Sequence, residues 1–413
     1  MSNLSILTMA EGKKVKKAIQ YGAGNIGRGF IGQLFFQSGY EVVFIDVNKE
    51  VVEKLNYDRS YPLRVVSDKG NRETLIENVR AVDGLDIESL SAEIATADIM
   101  ATAVGVNVLP RIAKPIATGL KKRWSENNLQ PFNIIICENL IDANLYLASL
   151  IKEELSGNEI KMLNKLVGFV EASIGRMVPV MTTEMQEGNI LRVCVEEYAE
   201  LPVDKVAFKG DIPDIVNMVP FSPFGYFIQR KLFIHNLGHA ITAYLGYLKG
   251  YTYIWESIND PDIRLICSNA MKESAQALSL EHNVNISKIH KHVEDLLKRF
   301  ENRQLGDTVE RVGKDPIRKL SPNDRLVGAL VLCMKKGIKA EFIPLGIAAA
   351  MCFDVKEDKS SQSMIEMINE GGTDEVLKEI CHLEVSSNTG EYISGLYKKI
   401  KEDTTIGQLR TKN

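Results

Sequence analysis

The first strongly patterned segment is a short apolar run, Ala18-Ile19-Gln20-Tyr21, that stops at a cluster of glycines. Residues 22–32 read GAGNIGRGFIG and lead into a helical pattern through Leu34, Phe35 and Phe36, closed by Ser38-Gly39. Glu41–Asp46 (EVVFID) is then a continuous β-branched and aromatic run, the pattern of a strand buried on both faces. Strand, glycine turn, helix and strand within about 30 residues predict a βαβ unit. The alternation continues with a strand over Asp98–Val104, a helix over Leu109–Leu120 and a strand over Asn133–Cys137. Asp142 is placed to cap a helix over Ala143–Leu155. Leu166–Glu171 and Leu191–Glu197 predict further strands. After about Pro202 the pattern turns helical: Phe227–Gly246, Pro261–Leu278, Ile286–Phe300, Asp324–Lys336, Ser363–Asn369 and Tyr392–Lys401.

These patterns predict an α/β N-terminal domain of Rossmann type with a mostly parallel sheet over residues 1–205. A predominantly α-helical domain follows over 206–413. A length of 413 residues with 45% hydrophobic and 25% charged positions is ample for two cores, so disorder as the dominant state is excluded. Fifty Lys+Arg against 54 Asp+Glu leave a net charge of −4, without the basic excess of a nucleic-acid partner. The six cysteines are widely spaced with no C-x-x-C pair, and they read as free thiols in a reducing cytoplasm. No run approaches the length of a membrane span, and Glu11 to Lys14 break the only apolar stretch near the start. A cytoplasmic protein acting on small molecules, as a monomer or homodimer, is the expectation.

Gly22, Gly24 and Gly27 occupy the three glycine positions of G-x-G-x-x-G. The first allows a tight turn, the second a close approach of pyrophosphate to backbone, and the third close packing of helix on strand. The helix start then offers unpaired N–H groups to phosphate. Alone the motif is weak; between a strand and a helix, with a second strand following, it predicts dinucleotide binding. Cofactor contacts are expected from Tyr21, Gly22, Ala23, Gly24, Asn25, Ile26, Gly27 and Arg28, and from Val104 and Gly105 at a later strand end. For Arg28 a pyrophosphate contact, a substrate contact and a plain surface arginine all stay open, as does simple strand-end packing for Val104-Gly105. Asp46 ends the second strand, where a carboxylate accepts from ribose hydroxyls and repels a 2′-phosphate. That favours NAD over NADP, although Lys49 is near.

The richest segment for chemistry is Lys231–Gly246, KLFIHNLGHAITAYLG. At about 100° per residue, Lys231 lies about 80° from His239 and about 140° from Asn236, the wide limit for sharing a wall. A lysine whose pKa is lowered can take an alcohol's proton, and an asparagine amide can donate to the resulting oxygen. From spacing alone the same residues are more often just the polar face of an amphipathic helix.

These motifs together resemble the mannitol dehydrogenase family of polyol-specific long-chain dehydrogenases. The likeness rests on GAGNIGRGFIG, on Asn133–Asn139 (NIIICEN) and on Lys231-x4-Asn236-x2-His239 followed by AITAYLG. It continues through Arg299–Asn302, Asp307–Gly313, Ile317–Ser321, Asp324–Leu326 and Gly346–Ala350, in order over roughly residues 17–400. The resemblance implies Lys231 as general base, with Asn236 and His239 as partners and Asn139 sharing the oxyanion role. It implies hydride transfer between D-mannitol 1-phosphate and D-fructose 6-phosphate with NAD, without a metal, in a cleft between the domains. A free polyol or a hexuronate is the rival substrate, and a non-catalytic NAD sensor the rival class. His290-x-His292 is the nearest imitation of a metal site.

For a phosphate dianion, Arg311, Lys314, Arg318, Lys319 and Arg325 form a basic stretch, of which Arg311 and Lys319 match family positions that hold substrate. The competing reading is a solvated loop paired with Asp307, Glu310, Asp315 and Asp324. Three features depart from the family pattern. About sixteen residues precede the first strand, so Met9 is an alternative start; Arg303 stands where proline is common; and His235, outside the family triad, either acts on Lys231 as a cation or faces away.

Overall fold

The computed structural model describes residues 15–402, so Met9 lies outside the described residues. The described residues divide into two compact units, one ending at Val65 and resuming over Arg72–Pro223, the other comprising Val66–Asn71 and the described residues from Phe224. The division falls after Pro223 rather than at the expected 205/206. The reason is that Leu201–Asp204 and Met218–Phe221 pair as parallel strands, keeping the segment between them with the first unit.

In the first unit six strands form the principal sheet: β1 (Lys17–Tyr21), β2 (Glu41–Asp46), β3 (Val79–Asp83), β4 (Ile99–Thr102), β5 (Phe132–Ile136) and β6 (Val167–Glu171). All are parallel, in the order β3-β2-β1-β4-β5-β6. This is the doubly wound order, and its switch point lies between β1 and β4. The apolar run of β2 has no polar face because both faces are covered. Val42 and Phe44 pack with Phe30, Leu34 and Tyr61, while Val43 and Ile45 pack with Leu90, Ile94 and Ile116. The strand expected over Leu191–Glu197 is only Val193–Val195, and it belongs to a separate three-stranded sheet with Ser60–Val65 and Arg72–Glu77. Those partners carry no clean alternation, which is why the pattern did not predict them. Asp142 does not cap: it sits at φ 57° with no side-chain capping bond, and its N–H donates instead to Glu171 Oε1 at 3.0 Å.

The second unit is helical, with long helices over Pro261–His282, Ile286–Phe300 and Asn388–Lys401. Phe342–Met351 is a further helix absent from the periodicity reading, because Ile343–Met351 are all buried and leave no polar stripe to reveal the period. All six cysteines are free and buried. Among the described residues, no helix is long and apolar enough to cross a membrane.

Candidate active site

The glycine loop follows β1 between the ends of β2 and β4, where Tyr21 pairs with Ile45 and with Thr102. Gly22 adopts φ +95°, and a Cβ there would collide with the Ala103 carbonyl oxygen. A Cβ on Gly27 would meet the Gly22 carbonyl oxygen. At Gly24, by contrast, nothing lies within 4 Å of where a Cβ would sit, so the backbone is open to a ligand. That opening belongs to a pocket of about 420 Å³ lined by Ala23, Gly24, Arg28, Asp46, Asn48 and Glu50, with Gln186 and Ile190 among its other walls. Asp46 is fixed at its rim by the N–H of Ala23 (2.6 Å) and of Asn48 (2.9 Å), one to each carboxylate oxygen. Each oxygen keeps lone-pair capacity for a hydroxyl donor.

Arg28 is not a surface residue. It is 6% exposed, its guanidinium donates to the carbonyls of Ala23 and Ile190, and its buried Nε has no hydrogen-bond partner. Burial lowers its pKa, against the opposing pull of Tyr61 and Asp46. Tyr21 is buried, and burial together with Asp46 pushes its phenol pKa up, so the hydroxyl stays protonated. Asn25 and Ile26, partly exposed, open the helix after the loop. An open glycine backbone, an unpartnered buried guanidinium N–H and a rim carboxylate suit a dinucleotide's phosphates and ribose.

The N–H groups of Val104 and Gly105 donate to the two oxygens of Glu138, each at 2.9 Å. Glu138, 7% exposed, thus locks the loop after β4 and was not foreseen. Its one signal was a carboxylate directly after the apolar run of β5. Asn139 is the next residue and is exposed, in the first unit.

The remaining candidates stand in the second unit. Lys231–Asn236 form a π-helical turn, followed by an α-helix over Leu237–Leu248. A π-turn advances about 80° per residue instead of about 100°, so Lys231 and Asn236 fall roughly 40° apart, not about 140°. Continuing as α-helix, His239 lies about 20° from Lys231 on the same basis. One stripe therefore carries all three, each partly exposed, between buried Leu237, Gly238 and Ala240. The His239 ring stacks on Phe300 (centroids 5.0 Å apart, planes at 12°). Its Nε2 lies 3.4 Å from Asp307 Oδ2, an ion-pair distance without hydrogen-bond geometry. Burial raises the pKa of Asp307, but His239 and Arg311 beside it more than offset this and hold it below its ordinary value.

His235 does not act on Lys231 as a cation. It is buried, and desolvation followed by Arg299, His239, His292 and Lys231 holds its pKa well below the usual value, so it is neutral near pH 7. Of the basic stretch, Arg318 pairs with Asp315 (2.7 Å) and Asp324 (2.9 Å), and Arg325 with Asp324 (2.7 Å). Arg311, half-exposed, pairs with Asp307. Lys319 is different: it is 4% exposed and, among the described residues, its ammonium has no ion pair. Burial first, then Arg325 and Arg318, lower its pKa to about 7. The solvated-loop reading therefore holds for its neighbours and fails for Lys319. Among the described residues, no three His, Cys, Asp or Glu side chains gather as metal ligands.

Two family models cover most of the chain: the mannitol dehydrogenase Rossmann domain matches residues 16–217 and the mannitol dehydrogenase C-terminal domain residues 224–389. The chain belongs to the mannitol dehydrogenase family. Similar curated relatives include mannitol-1-phosphate 5-dehydrogenase of Thermoanaerobacter pseudethanolicus, 40% identical over 94% of this chain and 98% of the relative. The mannitol-1-phosphate 5-dehydrogenase of Brevibacillus brevis is 37% identical over 93% and 98%. In fold, the chain is similar to a substrate-free D-sorbitol dehydrogenase (TM-score 0.81, 14% identity, 96% of this chain and 95% of that one). It is similar also to Pseudomonas fluorescens mannitol 2-dehydrogenase (TM-score 0.72, 14% identity, 96% and 94%). As a member of this family with a Rossmann domain, the chain is an oxidoreductase that uses a nicotinamide cofactor.

Proposed function

We propose that this dehydrogenase interconverts D-mannitol 1-phosphate and D-fructose 6-phosphate with NAD as its cofactor. The observation that carries the reading is the identity of 40% with a mannitol-1-phosphate 5-dehydrogenase across nearly the whole length of both chains. The residues around the opening at Gly24 would hold the nicotinamide cofactor, which would supply the hydride acceptor for the alcohol carbon and the hydride donor for the ketone. Lys231 takes the hydroxyl proton as that hydride leaves, and gives it back in the reverse direction. Asn236 donates to the oxygen as it changes from hydroxyl to carbonyl, and His239 orients it. Asp46, with its two fixed oxygens, holds the ribose hydroxyls and disfavours a 2′-phosphate.

Lys319 and Arg311 hold the substrate's anionic end. A buried lysine without an ion pair is costly to keep, and an incoming anion is what offsets that cost. The test compares NADH oxidation with fructose 6-phosphate and with fructose at matched concentrations. A kcat/KM at least about a hundredfold higher for the phosphate is expected, as for a site whose charged groups would otherwise stay unpaired. Equal or faster reduction of free fructose overturns the sugar-phosphate assignment.

A further inference from the structure

Asp307 faces two basic groups at once. Its Oδ2 lies 3.4 Å from His239 Nε2, and its Oδ1 accepts from the guanidinium of Arg311. The carboxylate is 12% exposed yet held ionised by these neighbours. Its backbone is fixed as well: the Asp307 carbonyl accepts from Ile254 N–H at 2.9 Å, and Val309 N–H donates to Thr252 at 2.9 Å. The other face of His239 is closed by Phe300, itself 2% exposed. The histidine ring is thus gripped on one face by an aromatic and at one edge by an anchored anion. In the sequence Asp307 stood out only as one of the carboxylates near the basic stretch and as the start of the Asp307–Gly313 segment.

We propose that Asp307 is a positioning residue: one carboxylate that orients His239 with one oxygen and tethers Arg311 with the other. The inference rests on the reading above that His239 and Arg311 serve the sugar phosphate. Arg311 uses one terminal nitrogen for Asp307, and its remaining N–H groups are available to an anion. The same carboxylate therefore sets the group that orients the reacting oxygen and the group that holds the anionic end. Removing its charge disturbs the first through turnover, whereas removing Arg311 disturbs the second through affinity.

The test uses the full chain with Asp307→Asn, Asp307→Glu and Arg311→Gln. Asp307→Asn is expected to lower kcat for fructose 6-phosphate by about 10- to 100-fold, the range seen when an orienting partner is lost, with NADH affinity by fluorescence unchanged. Asp307→Glu should recover a substantial part of that loss. Arg311→Gln should raise KM for fructose 6-phosphate at least about fivefold with a smaller effect on kcat. Independently of turnover, ¹⁵N-histidine spectra of Asp307→Asn should move the His239 ring signals and leave those of His282 and His382 in place. The proposal is overturned if the His239 signals do not move, or if Asp307→Asn changes thermal stability without changing kcat. It is overturned too if Asp307→Glu, folded, is no better than Asn. Should wild type reduce no ketose phosphate, the functional reading falls while the histidine spectra still decide the role of Asp307. Should Asp307→Asn not fold, Asp307→Glu and Arg311→Gln carry the same comparison of kcat against KM.

Discussion

Both units place a π-helical turn at their candidate site, Gly27–Ile31 in the first and Lys231–Asn236 in the second, and they use it for opposite ends. In the glycine loop what matters is backbone. Gly22 and Gly27 make room for carbonyl oxygens, Gly24 leaves an opening, and Gly32 N–H returns to the Gly27 carbonyl. In the lysine helix what matters is the direction of side chains, and the π-turn draws Lys231, Asn236 and His239 onto one stripe. On the proposed reading, binding would be served by removing side chains and proton handling by aligning them. Substitutions in the two halves should separate accordingly, the first acting on cofactor affinity and the second on turnover.

The largest effect is expected at Lys231. Lys231→Ala should lower kcat by at least about a thousandfold, because it removes the group that takes the proton as hydride leaves. NADH affinity, set in the other unit, should stay within about twofold, a change of less than 0.5 kcal/mol. Fluorescence titration beside steady-state kinetics separates the two. Turnover near the wild-type value would remove Lys231 from its assigned role, and a parallel collapse of NADH binding would erase the contrast between the halves.

How much of this was legible beforehand follows the same contrast. The tight packing at Gly22 and Gly27 could be read directly, because a conformational requirement on backbone writes itself into residue type at fixed spacing. The strands buried on both faces were equally plain, while Ser60–Val65 and Arg72–Glu77, with mixed faces, were not. The lysine helix could be read only at about 100° per residue, which set Asn236 at the wide limit from Lys231, since a π-turn has no residue signature. Glu138 and Asp307 escaped because each faces groups distant in sequence: Glu138 accepts from the Val104 and Gly105 N–H groups, and Asp307 lies 3.4 Å from His239 Nε2. Lys319 was visible as one of five basic residues and by its match to a family position; in the structure its burial and, among the described residues, its lack of an ion pair set it apart from Arg318 and Arg325.

An intermediate effect is expected at Lys319, and it has two signs. Its folded pKa of about 7 lies below the unfolded value of about 10.4, so between those values the unfolded chain holds the extra proton. Stability should therefore rise with pH from about 7 to 10, and Lys319→Met should abolish that rise and increase the melting temperature at pH 6–7. The same variant should weaken fructose 6-phosphate, raising KM by about tenfold at pH 6.5. In wild type, KM should climb as pH passes upward through about 7 and the ammonium is lost. A KM that does not depend on pH between 6 and 8, or a variant that is less stable, would place the cause of its burial elsewhere.

The smallest effect is expected at Asp46, where the backbone half uses a side-chain carboxylate at its rim. The carboxylate is bound by Ala23 and Asn48 N–H groups, so it is pre-oriented before any ribose arrives. Its repulsion of a 2′-phosphate acts at a partly exposed rim, where screening keeps the interaction of two charges near 1 kcal/mol, roughly fivefold in affinity. Asp46→Ser should narrow the ratio of NADPH to NADH dissociation constants by about that factor at 0.15 M salt, and by more at low salt. It should also weaken NADH, through lost ribose contacts, while leaving kcat at saturating NADH nearly unchanged. Glu50 lines the same pocket and keeps its negative charge in the variant, so full acceptance of NADPH is not expected. A ratio that stays fixed at every salt concentration would mean that Asp46 serves the turn at Ala23 and Asn48 rather than the choice of nucleotide.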